Sequence, residues 1–170
     1  MGSENGTYRG LPGALRFSFR RSDSRVFKSY VIVGGLVAAF IAILLLFGLV
    51  GVVAETLGAS ELVTPVRSFY LLIGIMLVAP ILAPVLLVAR RHRRATSTPR
   101  YDARLALGGY LFIAAVYIGL VISTPPGQQA QVAGPHGPVV SALYGIPAIL
   151  GLLPPTAAAI GIWAIHRRYS

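Results

Sequence analysis

The sequence predicts an all-α fold: an integral membrane bundle of four transmembrane helices. Three observations predict it. Apolar residues make up 55% of the 170-residue chain and charged residues only 12%, a charged share too small to cover a soluble core of this size. The apolar residues gather in four long runs of bilayer-spanning length. The charged residues fall before, between and after those runs.

The chain divides into a basic N-terminal segment, residues 1–29, and a transmembrane domain, residues 30–170. The start carries Gly2 but no Ser or Thr at position 6, so it is not a myristoylation signal. The first apolar run is too long for the h-region of a secretory signal. Between Leu11 and Val26 a stripe of Leu11, Leu15, Phe19, Ser22 and Val26 falls on one helical face, with Arg16, Arg20, Arg21 and Arg25 off it. That pattern suits a helix lying in the membrane interface. Phe17 and Phe27 break the stripe, and an irregular basic tail is the competing reading.

The first span is residues 30–54, YVIVGGLVAAFIAILLLFGLVGVVA. A connection with Glu55, Glu61 and Arg67 leads to the second span, 68–89, which contains Pro80 and Pro84. Each proline removes a backbone donor inside the membrane, so a neighbouring helix must tolerate the loss. Next comes Arg90-Arg91-His92-Arg93-Arg94, followed by the polar loop ATSTPRYDAR. The third span is 105–124. A Pro/Gly-rich loop follows, PPGQQAQVAGPHGPVV, expected to lack regular structure. The fourth span, 140–165, holds Pro147, Pro154 and Pro155 and ends in His166-Arg167-Arg168. Trp163 lies near that end, at head-group level.

Basic residues set the orientation. The N-terminal segment, the central loop and the C-terminus carry fourteen of the fifteen Lys and Arg residues, and the opposite side carries only Arg67. Positive loops stay inside. Both termini and the central loop are therefore expected in the cytoplasm of a multi-pass cell-membrane protein. The same split explains the net charge of +10 without nucleic acid, for which no aromatic interleaving or fold motif is present.

Sliding residues 30–96 by 74 positions onto 104–170 needs no gap. Gly34-Gly35 lands on Gly108-Gly109, Tyr70 on Tyr144, Pro80 on Pro154, and His92-Arg93-Arg94 on His166-Arg167-Arg168. One reading is two helical-hairpin repeats that enter the membrane in the same, parallel sense. The other is that any two-span hairpin begins with small residues and ends in a basic stop.

The candidate chemistry is sparse. No Asp, Glu, Lys or Arg lies inside the four predicted spans, which counts against small multidrug-resistance-type antiporters, since these need a buried carboxylate. The chain has no cysteine, which removes thiol–disulfide chemistry and thiolate metal sites. His92 and His166, at helix ends, read as polar interface residues rather than as ligands of a shared metal or haem. No catalytic motif, metal set or cofactor site is legible. Arg90, Arg91, Arg93, Arg94, Arg167 and Arg168 are candidates for contact with anionic lipid head groups or an acidic partner. Gly34, Gly35, Gly108 and Gly109 are candidates for close helix packing.

The segments SDSRVFKSYVIVGG (22–35) and LVAPILAPVLLVARRHRR (77–94) resemble small four-span membrane proteins of haloarchaea. The preference for arginine over lysine and the lack of cysteine agree with that resemblance. It implies a cell-membrane location and no reaction. The expected function is a non-enzymatic accessory or scaffold subunit that binds membrane lipid and a partner protein or a second copy. The alternative is a small oligomeric transporter or pore with a polar path near Pro80 and Pro154.

Overall fold

The computed structural model describes residues 10–55, 63–94, 98–130 and 132–169. The polar start 1–9, the connection 56–62, residues 95–97 of the arginine loop, Gln131 and Ser170 lie outside the described residues. Six α-helices and no strand occur among the described residues: α1 (Gly10–Arg21), α2 (Arg25–Glu55), α3 (Val63–Arg94), α4 (Pro99–Ile122), α5 (Gly137–Tyr144) and α6 (Leu153–Tyr169). Four helical segments are long and apolar enough to cross a bilayer: Arg25–Ala54, Pro65–Arg94, Pro99–Ile122 and Ala148–Tyr169. The chain is an all-α four-helix membrane bundle.

Helix α4 is the axis of the bundle, packing against α2, α3 and α6. Its most apolar window is 44% buried, against 6% in α2, so α2 lies further out, with its packed face at Phe27, Tyr30, Val31 and Ala38. Lipid tails are as apolar as leucine and give helices no hydrophobic reason to associate, so close packing and hydrogen bonds must hold the bundle. Both are concentrated at the arginine-bearing end. There Phe27 and Tyr30 of α2, Ile81, Val85 and Val88 of α3, and Tyr101 and Leu105 of α4 form one buried cluster.

Glycines let the helices approach. A Cβ on Gly109 would fall 2.2 to 2.5 Å from the Tyr30 ring and hydroxyl, so the missing side chain is the slot that Tyr30 fills. From there the Tyr30 hydroxyl donates to the Ile81 carbonyl at 2.5 Å. That bond joins α2 to the proline-bearing stretch of α3, where Pro80 and Pro84 each leave a carbonyl one turn back without its helical donor. At the other end, a Cβ on Gly119 would lie 2.3 Å from the Gly151 carbonyl oxygen. Here two backbones touch, and α4 meets the start of the last span.

In the 74-residue register the start of α2 at Arg25 lands on the start of α4 at Pro99. The two hairpins differ in form, however. Where α3 is continuous, the second unit breaks into α5, a 3-10 turn (Ala148–Leu152) and α6. This corrects the unbroken span expected over 140–165. Gly145 caps α5, its N–H shared between the carbonyls of Ser141 and Ala142 at 3.2 Å each. Pro147 then disfavours the helical conformation in the residue before it. Pro154 and Pro155 cause no break, because they lie in the first turn of α6, where backbone donors have no helical partner anyway. The loop expected to be irregular also holds a 3-10 turn, Pro126–Gln128, and the start of α5.

A helix does form in the N-terminal segment, Gly10–Arg21. Ala14 and Ser18 are its buried residues, while Leu11 and Phe19 are exposed. Small side chains allow α1 to lie close on α3, and the Ser18 hydroxyl reaches the Val85 carbonyl at 3.1 Å. The helix stops at Arg21, so Ser22 and Val26 do not continue it. Ser24 begins α2 instead, its hydroxyl accepting from the Phe27 N–H at 3.2 Å, the usual role of an N-cap serine.

Candidate functional site

Ser22, His92, Tyr101, Asp102 and His166 converge at the end where α1, α3, α4 and α6 carry their arginines. Helix α4 begins there with Thr98-Pro99-Arg100-Tyr101-Asp102. Proline in the first turn needs no donor, and an acidic residue there meets the positive end of the helix dipole. Helix α4 therefore starts six residues earlier than the span expected from 105, and Asp102 moves from a polar loop into the bundle. It is 1% exposed.

A buried carboxylate must be satisfied. The Ser22 hydroxyl donates to Asp102 Oδ2 at 2.6 Å. His92 Nε2 lies 3.0 Å from the same oxygen. The Asp102 oxygen thus accepts from Ser22 and meets the His92 ring nitrogen at hydrogen-bonding distance. Ser22 follows α1 and His92 is on α3, so one carboxylate joins three parts of the chain. These are the residue types of a hydrolytic triad in a different order. In that triad the imidazole stands between serine and carboxylate and takes the serine proton. Here the carboxylate stands in the middle, and the imidazole has no contact through which to activate Ser22.

The residue before Asp102 makes a parallel connection. The Tyr101 hydroxyl is 2.6 Å from His166 Nδ1 on α6. Consecutive residues of α4 thus hold the two histidines that the 74-residue register equates: Asp102 holds His92, and Tyr101 holds His166. The histidines are separately engaged, and no group of three His, Cys, Asp or Glu that could hold a metal occurs among the described residues.

The arginine cluster splits into two sets. Arg91 turns inward: its guanidinium lies 4.2 Å over the Tyr101 ring and donates to the Tyr169 carbonyl at the end of α6. Arg90, Arg93 and Arg94 turn outward and are exposed. With Leu86 they line a pocket of about 510 Å³. Arg167 and Arg168 are also exposed; Arg167 lies 5.2 Å over Trp163 and Arg168 5.9 Å over Tyr169. Arg104 stacks on Tyr169 at 4.1 Å. Stacking on rings leaves guanidinium edges available to anions.

The four glycines differ in what they meet. Gly108 faces Ile162 and Ile165 of α6, Gly109 faces Tyr30, and Gly35 faces Leu15 of α1. Gly34 meets the Tyr30 ring of its own helix. The cavity that passes Pro80 is an apolar groove between α2 and α3, lined there by Val78, Ala79 and Leu82, rather than a polar path. Pro154 lies beside Pro155, which packs toward Gly119.

A family profile covers residues 1–170. The chain belongs to the family described as a domain of unknown function, DUF8056. No curated protein and no solved structure matches it. Membership therefore brings the chain no reaction, and the reading of its function rests on the site itself. Sequence reasoning missed Tyr101, Asp102 and Ser22 in this family member. The available signal was Pro99 with an acidic residue three positions on, a helix start.

Proposed function

We propose that this is a multi-pass protein of the cell membrane, with both termini cytoplasmic, acting as a non-enzymatic accessory or scaffold subunit. Its arginine-rich end contacts anionic lipid head groups, and its bundle presents a surface to a partner protein or a second copy. The observation that carries this reading is the split of the arginine cluster. The inward members, Arg91 and His92, are spent on Tyr101, Tyr169 and Asp102, and they close the bundle end. The outward members, Arg90, Arg93 and Arg94, are exposed and line a pocket with Leu86 at the end of α3. Guanidinium groups at that depth meet phosphates. The groups that could do chemistry, Ser22, Asp102, His92, Tyr101 and His166, are engaged with one another across helices, which supports a structural role for them.

Purification of the full chain in mild detergent, with identification of the proteins and lipids that accompany it, tests this reading. Enrichment of anionic lipid and a stoichiometric membrane partner is expected. Recovery of the bare chain, with lipid in the bulk membrane ratio, would reject it. Orientation is tested separately with cysteines, since the natural chain has none. A membrane-impermeant maleimide should label Gln128→Cys in intact cells and Asp23→Cys only after lysis.

A further inference from the structure

We propose that the groove between α2 and α3, together with the arginine pocket at its foot, is one site for a single anionic phospholipid. This deepens the lipid contact described above and rests on it. The groove has a volume of about 500 Å³, within the range of ligand pockets. Its walls are apolar, from Ala42 and Leu45 on α2 to Ile75 and Leu82 on α3. The pocket of Arg90, Arg93 and Arg94 adjoins it, and Leu86 lines both. The two cavities therefore meet at a shared wall, Leu86.

The helix itself makes them one surface. Ile75, Val78, Leu82, Leu86, Arg90 and Arg93 follow one another at steps of three or four residues, so they share one face of α3. That face is apolar to Leu86 and cationic beyond it. On α3 the groove runs from Leu86 back to Tyr70, about 24 Å of helix, longer than the depth of one hydrocarbon leaflet, about 15 Å, so an acyl chain fits along it. An acyl chain laid in the groove places its phosphate among the three guanidinium groups, which match phosphate oxygens in geometry and charge. The walls are held without lipid. The Tyr70 hydroxyl donates to the Leu45 carbonyl at 3.1 Å, and the Tyr30 hydroxyl to that of Ile81.

A second copy fits this face poorly. Two chains paired there about an axis along the membrane normal would bring both sets of three arginines together. A lipid phosphate instead sets opposite charge among them.

Native mass spectrometry of the full chain in mild detergent tests the proposal, with phosphatidylglycerol and phosphatidylcholine of the same acyl chains as probes. One phosphatidylglycerol per chain should be retained, at least tenfold more tightly than phosphatidylcholine. The triple variant R90Q/R93Q/R94Q should weaken retention about a hundredfold, the combined effect expected of three arginines near an anionic surface. Ala79→Phe, which fills the groove from an exposed apolar position, should weaken it about tenfold with every arginine in place. Thermal melts of each variant in detergent establish that the bundle is intact. If the triple variant loses the lipid while Ala79→Phe holds it as wild type, the groove proposal falls and the head-group contact stands. If both lipids bind equally to every variant, both fall. A dimer cross-linked through Ile75→Cys that excludes phosphatidylglycerol would also overturn the proposal.

Discussion

His92 Nε2 and Asp102 Oδ2 lie 3.0 Å apart, with the carboxylate almost wholly buried, and this pair closes the arginine-bearing end of the bundle. Removing one side of a buried, hydrogen-bonded pair costs more than the pair contributes, because the other side is left unsatisfied. Asp102→Ala should therefore lower stability by about 3 kcal/mol, read by thermal or denaturant unfolding in detergent. In a double-mutant cycle with His92→Ala, the coupling energy should be about 1–3 kcal/mol. Additive losses would mean that the two residues do not share a bond.

Arg90 and Arg91 are neighbours in sequence with opposite fates, and they should separate two readouts. Arg91→Gln loses the stack on Tyr101 and the bond to Tyr169, and should cost about 1–2 kcal/mol of stability. Arg90→Gln should change stability by less than about 0.5 kcal/mol and act only on lipid retention. Equal effects of the two on melting would contradict the inward and outward division.

Gly109 leaves room for Tyr30. Gly109→Ala should destabilise by about 1–3 kcal/mol through overpacking, and Tyr30→Leu in the same chain should restore part of the loss by shortening the side chain that fills the slot. Tyr30→Phe alone should cost about 0.6 kcal/mol, the average for a hydrogen bond inside a membrane protein. No rescue in the double variant would place the strain elsewhere.

Gly119 and Gly151 touch backbone to backbone. Gly119→Ala cannot be relieved by a rotamer change, since the obstacle is the Gly151 carbonyl. It should separate α4 from the start of the last span and make the connection 125–152 more open to hydrogen exchange, with little change at Asp102. Uniform deprotection of the whole chain would show instead that the two ends unfold as one unit.

The existence of four spans was legible because the bilayer imposes a length and a composition that any observer of the chain can read. Boundaries were less legible. The apolar pattern stops at Leu105, but Pro99 starts α4 at a residue that hydropathy ignores. In the N-terminal helix the buried residues are Ala14 and Ser18, small side chains that hydropathy passes over, while Leu11 and Phe19 of the apolar stripe stay exposed. Pro147, Pro154 and Pro155 looked equivalent in sequence, yet only Pro147 lies where the helix would need its donor.

By itself the sequence determined the class of solvent, the number of spans, and the basic and non-basic ends. All of these follow from properties that act residue by residue, namely transfer to lipid and charge. Only the tertiary structure decided which arginines close the bundle and which face outward, and that Ser22, Asp102 and His92 meet. Those outcomes depend on how four helices rotate about their axes. Rotation is set by a few close contacts, Tyr30 in the slot of Gly109 and Gly119 on Gly151, between residues far apart in the chain. No local pattern carries that information.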